Sequence, residues 1–172
     1  MTVVPLEDVK DHLKITKEDY DSKLTGYIAS AEAVISQRVG PLVPTTVTER
    51  IPGATGPLSL RTRPVISLTT VTPSYGNDLD ITNLDVDPVM GLVAFKGYWS
   101  SFVSYFPMAY YTITYQAGYD TLPDDLALGI KEQVRLWWEA SQRGPRNSEA
   151  PNFTIHPIVE QIISPYDHPV FA

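Results

Sequence analysis

The sequence contains no cysteine. Disulfides, zinc–thiolate sites and thiol nucleophiles are therefore excluded. Charge is also scarce. Only 19% of the residues are Asp, Glu, Lys or Arg, and acids prevail among them, leaving a net charge of −7. No window gathers Lys and Arg; Arg61 and Arg63 are the nearest approach to a basic pair. The electrostatic footprint that grips a phosphate backbone is missing. No run of about 18 apolar residues exists, so no transmembrane helix is expected. Met1-Thr-Val-Val-Pro-Leu-Glu-Asp8 lacks a basic start followed by an apolar stretch, so no signal peptide is expected.

Catalytic signatures are missing too. There is no Gly-x-Ser-x-Gly, no P-loop and no Gly-x-Gly-x-x-Gly. His12, His156 and His168 share no metal-site spacing with each other or with carboxylates. His12, on a charged helix face, reads as a solvated surface residue. His156 and His168 lie in a Pro-rich tail. Of the acidic pairs, Glu7/Asp8 and Asp124/Asp125 sit where helix N-termini favour carboxylates. Asp78/Asp80 and Asp85/Asp87 flank β-patterned runs, and turn chemistry explains them without a cation. Neither an enzyme activity, nor a cofactor, nor a metal is expected.

What is present is a globular composition. The hydrophobic fraction is 43%, enough for a core, with 15 prolines and 10 tyrosines in 172 residues. That length suits one domain, with room for an appendage. Pro5 at a helix start, with Leu6, Val9 and Leu13 at helical spacing, predicts a short helix over 5–14. Thr16-Lys-Glu-Asp19 resembles a capping box, with Asp in place of the usual Glu or Gln. A second helix then runs to about Val39, with Leu24, Tyr27, Ile28, Ala31, Val34 and Ile35 on its apolar face. Gly40-Pro41 ends it.

Residues 42–118 change character. Val47–Ile51, Leu58–Leu60, Val65–Val71, Leu79–Ile81, Val86, Leu92–Phe95 and Tyr110–Tyr115 are short β-patterned runs, punctuated by Gly, Pro, Asn and Asp. They predict a small antiparallel sheet of hairpins. Pro123 then opens a third helix over 123–142, carrying Leu126, Ile130, Val134, Trp137 and Trp138 on one side. The two tryptophans are about 100° apart on the helix. Trp137 continues the core series, and Trp138 is the one placed to meet a neighbouring subunit.

The fold class expected is α+β. Two N-terminal helices and one C-terminal helix make a small bundle, an antiparallel β region is inserted between them, and an extended C-terminal tail follows. The core domain is 1–143, and 144–172 is a linker and docking arm. Gly144–Pro151 is linker-like, polar and without periodicity. Beyond it, Ile158, Val159, Ile162 and Ile163 offer barely two helical turns between Pro157 and Pro165, too short to persist unless packed on something. Between two β-runs, the loop 97–108 concentrates Tyr98, Trp99, Phe102, Tyr105 and Phe106. Two readings stand: the aromatics extend the core, or they contact a neighbouring subunit or the tail side, where such residues are enriched.

Several segments, taken in order, carry a family resemblance. Pro5-Leu-Glu-Asp-Val-Lys-Asp-His-Leu-Lys-Ile15, the acidic-starting Asp19–Ile35, the Pro64-Val65 pair before alternating apolar residues, Thr114-Tyr-Gln-Ala-Gly-Tyr119 and Leu122-Pro-Asp-Asp-Leu126 together resemble the head–tail connector (adaptor) proteins of long-tailed double-stranded DNA bacteriophages. The likeness covers residues 5 to about 143. The aromatic loop and the tail from Phe153 depart from the pattern.

The resemblance implies a non-enzymatic virion protein in the neck, assembled in the host cytoplasm. It implies a homo-oligomeric ring, commonly a dodecamer, between the portal and the stopper or tail-terminator proteins, with genomic DNA passing through the lumen without specific binding. It also implies that the C-terminal segment reaches the portal, and the isolated apolar residues beyond the linker, Phe153, Ile155, Ile158, Val159, Ile162 and Ile163, with Tyr166, are the expected docking residues. Membrane association is not implied. The alternatives are a tail-completion or stopper protein of the same region and, from another class, a small carbohydrate- or ligand-binding module built on the aromatic loop. A wide ring in negative stain separates the first from the adaptor, and glycan titration tests the second.

Overall fold

A computed structural model of the chain describes residues 2–53, 55–97, 106–142 and 154–167. The chain divides into two compact units, a helical one from residues 1–42 and 122–167 and a β one from residues 43–121. The α+β class expected from the sequence holds, with helices on either side of the β region along the chain.

The helical unit contains α1 (Leu6–Leu13), α2 (Asp21–Val39), α3 (Asp124–Gln142) and α4 (Pro157–Ile163). Leu24, Ile28, Ala31, Ile35 and Val39 recur every third or fourth residue on α2 and are buried, so this face turns to the core. Tyr27 and Val34 flank it half-buried. On α3 the buried set is Leu126, Gly129, Ile130, Gln133, Val134 and Trp137. The ring of Trp137 meets that of Tyr27 edge-on at 6.2 Å. Gly40, with φ 86°, ends α2, its N–H donating to the Ser36 carbonyl at 3.0 Å.

Two local expectations fail here. The capping box at Thr16 does not form. A 3₁₀ turn, Glu18–Tyr20, takes that stretch with Lys17 at its N-cap, and α2 begins only at Asp21 with no side-chain cap. Asp21 instead sits 2.8 Å from the Lys10 ammonium of α1. That hydrogen bond raises the Lys10 pKa above its usual value, and the nearby charges of Glu7 and Glu18 act in the same direction.

The second concerns the boundary at 143. Residues 154–167 belong to the same compact unit as α3, not to a separate arm. Val159 and Ile163 of α4 are fully buried. The packing depends on a missing side chain. A Cβ placed on Gly129 would lie 3.2 Å from Ile163 Cγ2 and 3.7 Å from Val159 Cγ1. The adjacent Gln133, wholly buried, accepts the His156 N–H at 3.0 Å and donates to the Thr154 carbonyl at 3.4 Å. His156 caps α4, its Nδ1 accepting the Ile158 N–H at 3.3 Å. A helix of seven residues is marginal in isolation. Here it persists because one glycine admits it and one glutamine fastens its leading backbone.

Among the described residues, the β unit has six strands: β1 (Thr45–Pro52), β2 (Leu58–Ser59), β3 (Val65–Pro73), β4 (Leu84–Asp87), β5 (Leu92–Phe95) and β6 (Tyr110–Ala117). They form two three-stranded antiparallel sheets, ordered β1-β6-β3 and β2-β5-β4. This is not a succession of hairpins. Among the described strands, only β4 and β5 are joined that way, and β6 lies between the two long strands β1 and β3. Leu79–Ile81 is not a strand. Asp80 accepts the Thr82 N–H at 2.9 Å and the Thr82 hydroxyl at 2.6 Å, which starts a 3₁₀ turn over Ile81–Asn83. Those bonds lower the Asp80 pKa.

Tyr111, Ile113, Tyr115 and Ala117 alternate inward along β6 and join Ile51, Val71, Leu58 and Val93 in one core shared by both sheets. At the edge of that core, the half-buried Glu49 gathers donors from distant segments. It accepts the Tyr115 hydroxyl at 2.7 Å, the Thr62 N–H and hydroxyl at 3.1 Å each, and the Arg61 N–H at 3.0 Å. Burial first, and the Glu49 carboxylate second, push the Tyr115 phenol well above its ordinary pKa of 10.0.

Two outcomes follow from this packing. Gly129→Val should lower the stability of the helical unit by about 1–2 kcal/mol, overpacking outweighing the few tenths that most side chains gain over glycine in a helix. Urea melts measure the loss, and faster hydrogen exchange across 157–163 locates it. Chain stability should also fall as pH rises above 10.0, because the unfolded chain releases the Tyr115 proton there and the folded chain still holds it. Tyr115→Phe should flatten that alkaline slope while removing about 1.5–3 kcal/mol at neutral pH, the worth of a hydrogen bond to a charged acceptor. Melts from pH 7 to 11 on both proteins decide it.

Candidate interaction surfaces

Acidic and histidine side chains come first, since any reactive centre would draw on them. Among the described residues, no group of three or more His, Asp or Glu side chains is placed to hold a metal ion. Asp87 accepts the N–H groups of Val89 and Met90 at 3.0 and 2.8 Å, and Asp78 accepts the Thr72 hydroxyl at 2.6 Å. Their lone pairs serve turns. Asp124 and Asp125 occupy the first turn of α3.

His12 is not a solvated surface residue. It is half-buried, with Nε2 2.8 Å from Glu132 on α3. Arg135 completes the cluster, bound to Glu132 at 2.8 Å and to Glu139 at 2.5 Å. Burial acts to raise the Glu132 pKa. The hydrogen bonds from Arg135 and His12 outweigh it and hold the carboxyl below its ordinary 4.5. Arg63 also differs from a surface cation: it is buried, with Nη1 donating to the Met90 carbonyl at 3.2 Å. Gly91, at φ 65°, makes room for its methylenes, since a Cβ there would fall 2.7 Å from Arg63 Cδ. The pair Arg61/Arg63 is thus no basic patch.

The seven residues assigned to portal docking separate into groups. Phe153 lies outside the described residues. Val159 and Ile163 are consumed in packing on α3. Ile155, Ile162 and Tyr166 are half-buried, and the Tyr166 hydroxyl donates to Asp125 at 3.4 Å. Ile158 alone of the described set is substantially exposed, at 49%. The arm as a freely tethered apolar segment is therefore corrected. Its burial follows from the Gly129 notch, which sequence periodicity does not reveal.

Tyr98, Trp99, Phe102 and Tyr105 of the aromatic loop also lie outside the described residues. Phe106, however, is a core residue. It stacks on Phe95 at 4.9 Å and meets Tyr111 edge-on at 5.4 Å, 1% exposed. Trp138 is half-buried: its ring takes the edge of Tyr20 at 4.9 Å and lies 5.2 Å from the Lys23 ammonium. Part of its surface is thus spent within the chain.

Other apolar side chains, unnoticed in the sequence, face solvent. On the β unit Met108 is 92% exposed, Tyr75 62% and Tyr110 50%, the last with Arg50 over its ring at 4.3 Å. Tyr75 and Tyr111 share a hydroxyl contact of 3.2 Å. The Ser74 N–H donates to the Tyr110 carbonyl at 2.8 Å, so Tyr75 and Tyr110 lie at the same end of the β1-β6-β3 sheet. On the helical unit, Val34, Gln37, Arg38, Thr154, Ile155 and Glu160 line a surface cleft of about 390 Å³. Arg38 lies 3.3 Å from Asp167 and 3.7 Å from Glu160 at its rim. These surfaces suit protein contact; none assembles a nucleophile, a base and an oxyanion site.

Comparison with known proteins adds two findings. The fold of nearly the whole chain recurs in solved structures. A chain in the neck of the empty GTA particle, computed with C6 symmetry, superposes with a TM-score of 0.65 at 18% identity, covering 98% of this chain and 91% of that one. A chain in the neck of the native GTA particle, computed with C12 symmetry, gives 0.66 over the same shares at the same identity. A third, from the virion of the native gene transfer agent particle, gives 0.65 at 18% identity, again over 98% and 91%. At that identity the likeness is one of fold. No curated protein sequence matches the chain. The sequence itself supplies the second finding: residues 4–72, spanning α1, α2, β1, β2 and nearly all of β3, match the model of the phage gp6-like head-tail connector protein family, the same family that the motifs resemble.

Proposed function

We propose that the protein is a structural component of a phage neck, an adaptor that assembles as a homo-oligomeric ring between the portal and the stopper or tail proteins. The observation that carries this reading is the coincidence of two likenesses on one chain. The connector family model matches residues 4–72, and the fold of the whole chain recurs in chains of particle necks. The symmetries of those particles, C6 and C12, favour a ring of twelve copies.

The chemistry supports a non-enzymatic role. The buried polar groups of this chain serve as fasteners, and its exposed apolar side chains are the kind that interfaces bury. The net charge of −7 suits a lumen wall that passes DNA without holding it. In this reading the exposed Met108, Tyr75 and Tyr110, with the aromatics Tyr98, Trp99, Phe102 and Tyr105 nearby in sequence, supply subunit or tail-side contacts. Portal contact falls to the stretch around Ile158 and Phe153. Assembly takes place in the host cytoplasm, and the product resides in the virion neck.

The test is direct. Purified full-length chain, alone and mixed with its portal, goes to native mass determination and negative-stain imaging. A ring with a central hole, either free or seated on the portal, supports the adaptor. A monomer that ignores the portal in both assays overturns it, and a plug that closes the portal–adaptor channel identifies a stopper instead.

A further inference from the structure

Residues 3–15 are held to the helical unit largely by acids. The Val3 and Val4 N–H groups both donate to Glu32 Oε1 of α2, at 2.7 and 2.9 Å. Lys10 pairs with Asp21 at 2.8 Å, at the start of α2. His12 meets Glu132 of α3, also at 2.8 Å. The apolar hold is partial: Val4 and Val9 reach full burial, while Val3, Leu6, Leu13 and Ile15 are only half-buried. The helix α1 that carries Val9 has eight residues, below the length at which helices are stable alone. It closes on Lys14 with φ 56°, a left-handed conformation that disfavours any side chain. The Lys14 and Ile15 N–H groups turn back to Asp11 and Lys10 carbonyls at 3.2 and 2.9 Å.

The rest of the unit is held differently. Leu24, Ile28, Ala31 and Ile35 of α2 and Leu126, Ile130 and Val134 of α3 are all fully buried. Apolar burial of that kind is insensitive to salt. The acidic clips are more open to it: the side chain of Asp21 is 34% exposed and that of Glu132 is 18% exposed, so ions screen them in part, Asp21 more than Glu132.

We propose that residues 3–15 form a detachable strap, clipped by Glu32, Asp21 and Glu132, that opens from α2 and α3 as a unit while the remaining helices stay packed. The charges around the clips favour reversible opening. Lys10 faces Asp21 and lies in the field of Glu7 and Glu18 on its own side. Glu132 faces both His12 and Arg135, and Arg135 is on α3 itself. When the strap leaves, Glu132 keeps Arg135 as its partner and is not stranded. Opening would bare Val4, Val9 and the surface of α2 and α3 beneath them, a patch of the size local unfolding uncovers.

Hydrogen exchange of the full chain, read by mass spectrometry at neutral pH, tests this. After correction for intrinsic rates, amides of residues 9–15 should exchange about tenfold or more faster than those of residues 28–39 and 130–137, as a separate opening unit does. Raising the salt to about 0.5 M, where the Debye length shortens to about 4 Å, should speed the strap more than the other helices. The double variant Glu32→Ala, Glu132→Gln should do the same, and Lys14→Gly, which relieves the left-handed residue, should slow it. Exchange of residues 9–15 in step with α2 and α3, or variants that accelerate all the helices equally, would overturn the strap. A ring that assembles normally has no bearing on this result, so the two proposals stand or fall apart.

Discussion

Carboxylates that collect donors from distant parts of the chain fasten this protein. Glu49 takes four hydrogen bonds from Tyr115, Thr62 and Arg61, and so ties β1 to the loop before β3 and to the centre of β6. Glu32 takes two N–H groups near the N-terminus. Glu132 joins α1 to α3 through His12, and Arg38 joins α2 to the far end of the chain through Glu160 and Asp167. A chain with 20 acids and 13 Lys and Arg has carboxylates to spare for this work. Backbone and hydroxyl donors, not cations, satisfy several of them. That arrangement is consistent with a low total charge, because an acid that accepts N–H groups needs no lysine beside it.

The same economy governs α4. Its two buried residues, Val159 and Ile163, give a modest apolar contact. What fixes its place is the absence of a side chain at Gly129 and the presence of a buried amide at Gln133. A buried amide left unpaired costs more than the hydrogen bond gains, so Gln133 effectively requires the 154–156 backbone to be there. The helix is held by a specific polar demand as much as by hydrophobic area.

Much of the architecture was legible in the sequence, because periodicity and turn residues are local signals. α2 was readable from Leu24, Ile28, Ala31 and Ile35, and β6 from the alternation of Tyr111, Ile113 and Tyr115 with threonines. What was not legible depends on partners far along the chain. Nothing near β6 says that it lies between β1 and β3, since strand order is a choice among long-range pairings. Leu79–Ile81 looked like a strand because its apolar residues match one, but Asp80 offered the backbone a competing bond. Glycine at position 129 reads as a mild helix defect until Ile163 is seen against it. For Phe106 the sequence left core and interface equally open, and Phe95 and Tyr111, which enclose it, come from separate parts of the chain.

These corrections narrow where the proposed neck contacts reside. A tail whose apolar residues were all free would be an obvious anchor, but Val159 and Ile163 already have partners in their own unit. To bind a portal through them, the chain would first have to expose Gln133 and the notch at Gly129. Contacts through Ile158, Met108, Tyr75 and Tyr110 carry no such cost, because those side chains already face water. Binding through surfaces that are preformed and exposed keeps the ordering penalty of association low. On physical grounds, the exposed residues of the β unit and Ile158 are therefore the better candidates for the proposed neck contacts.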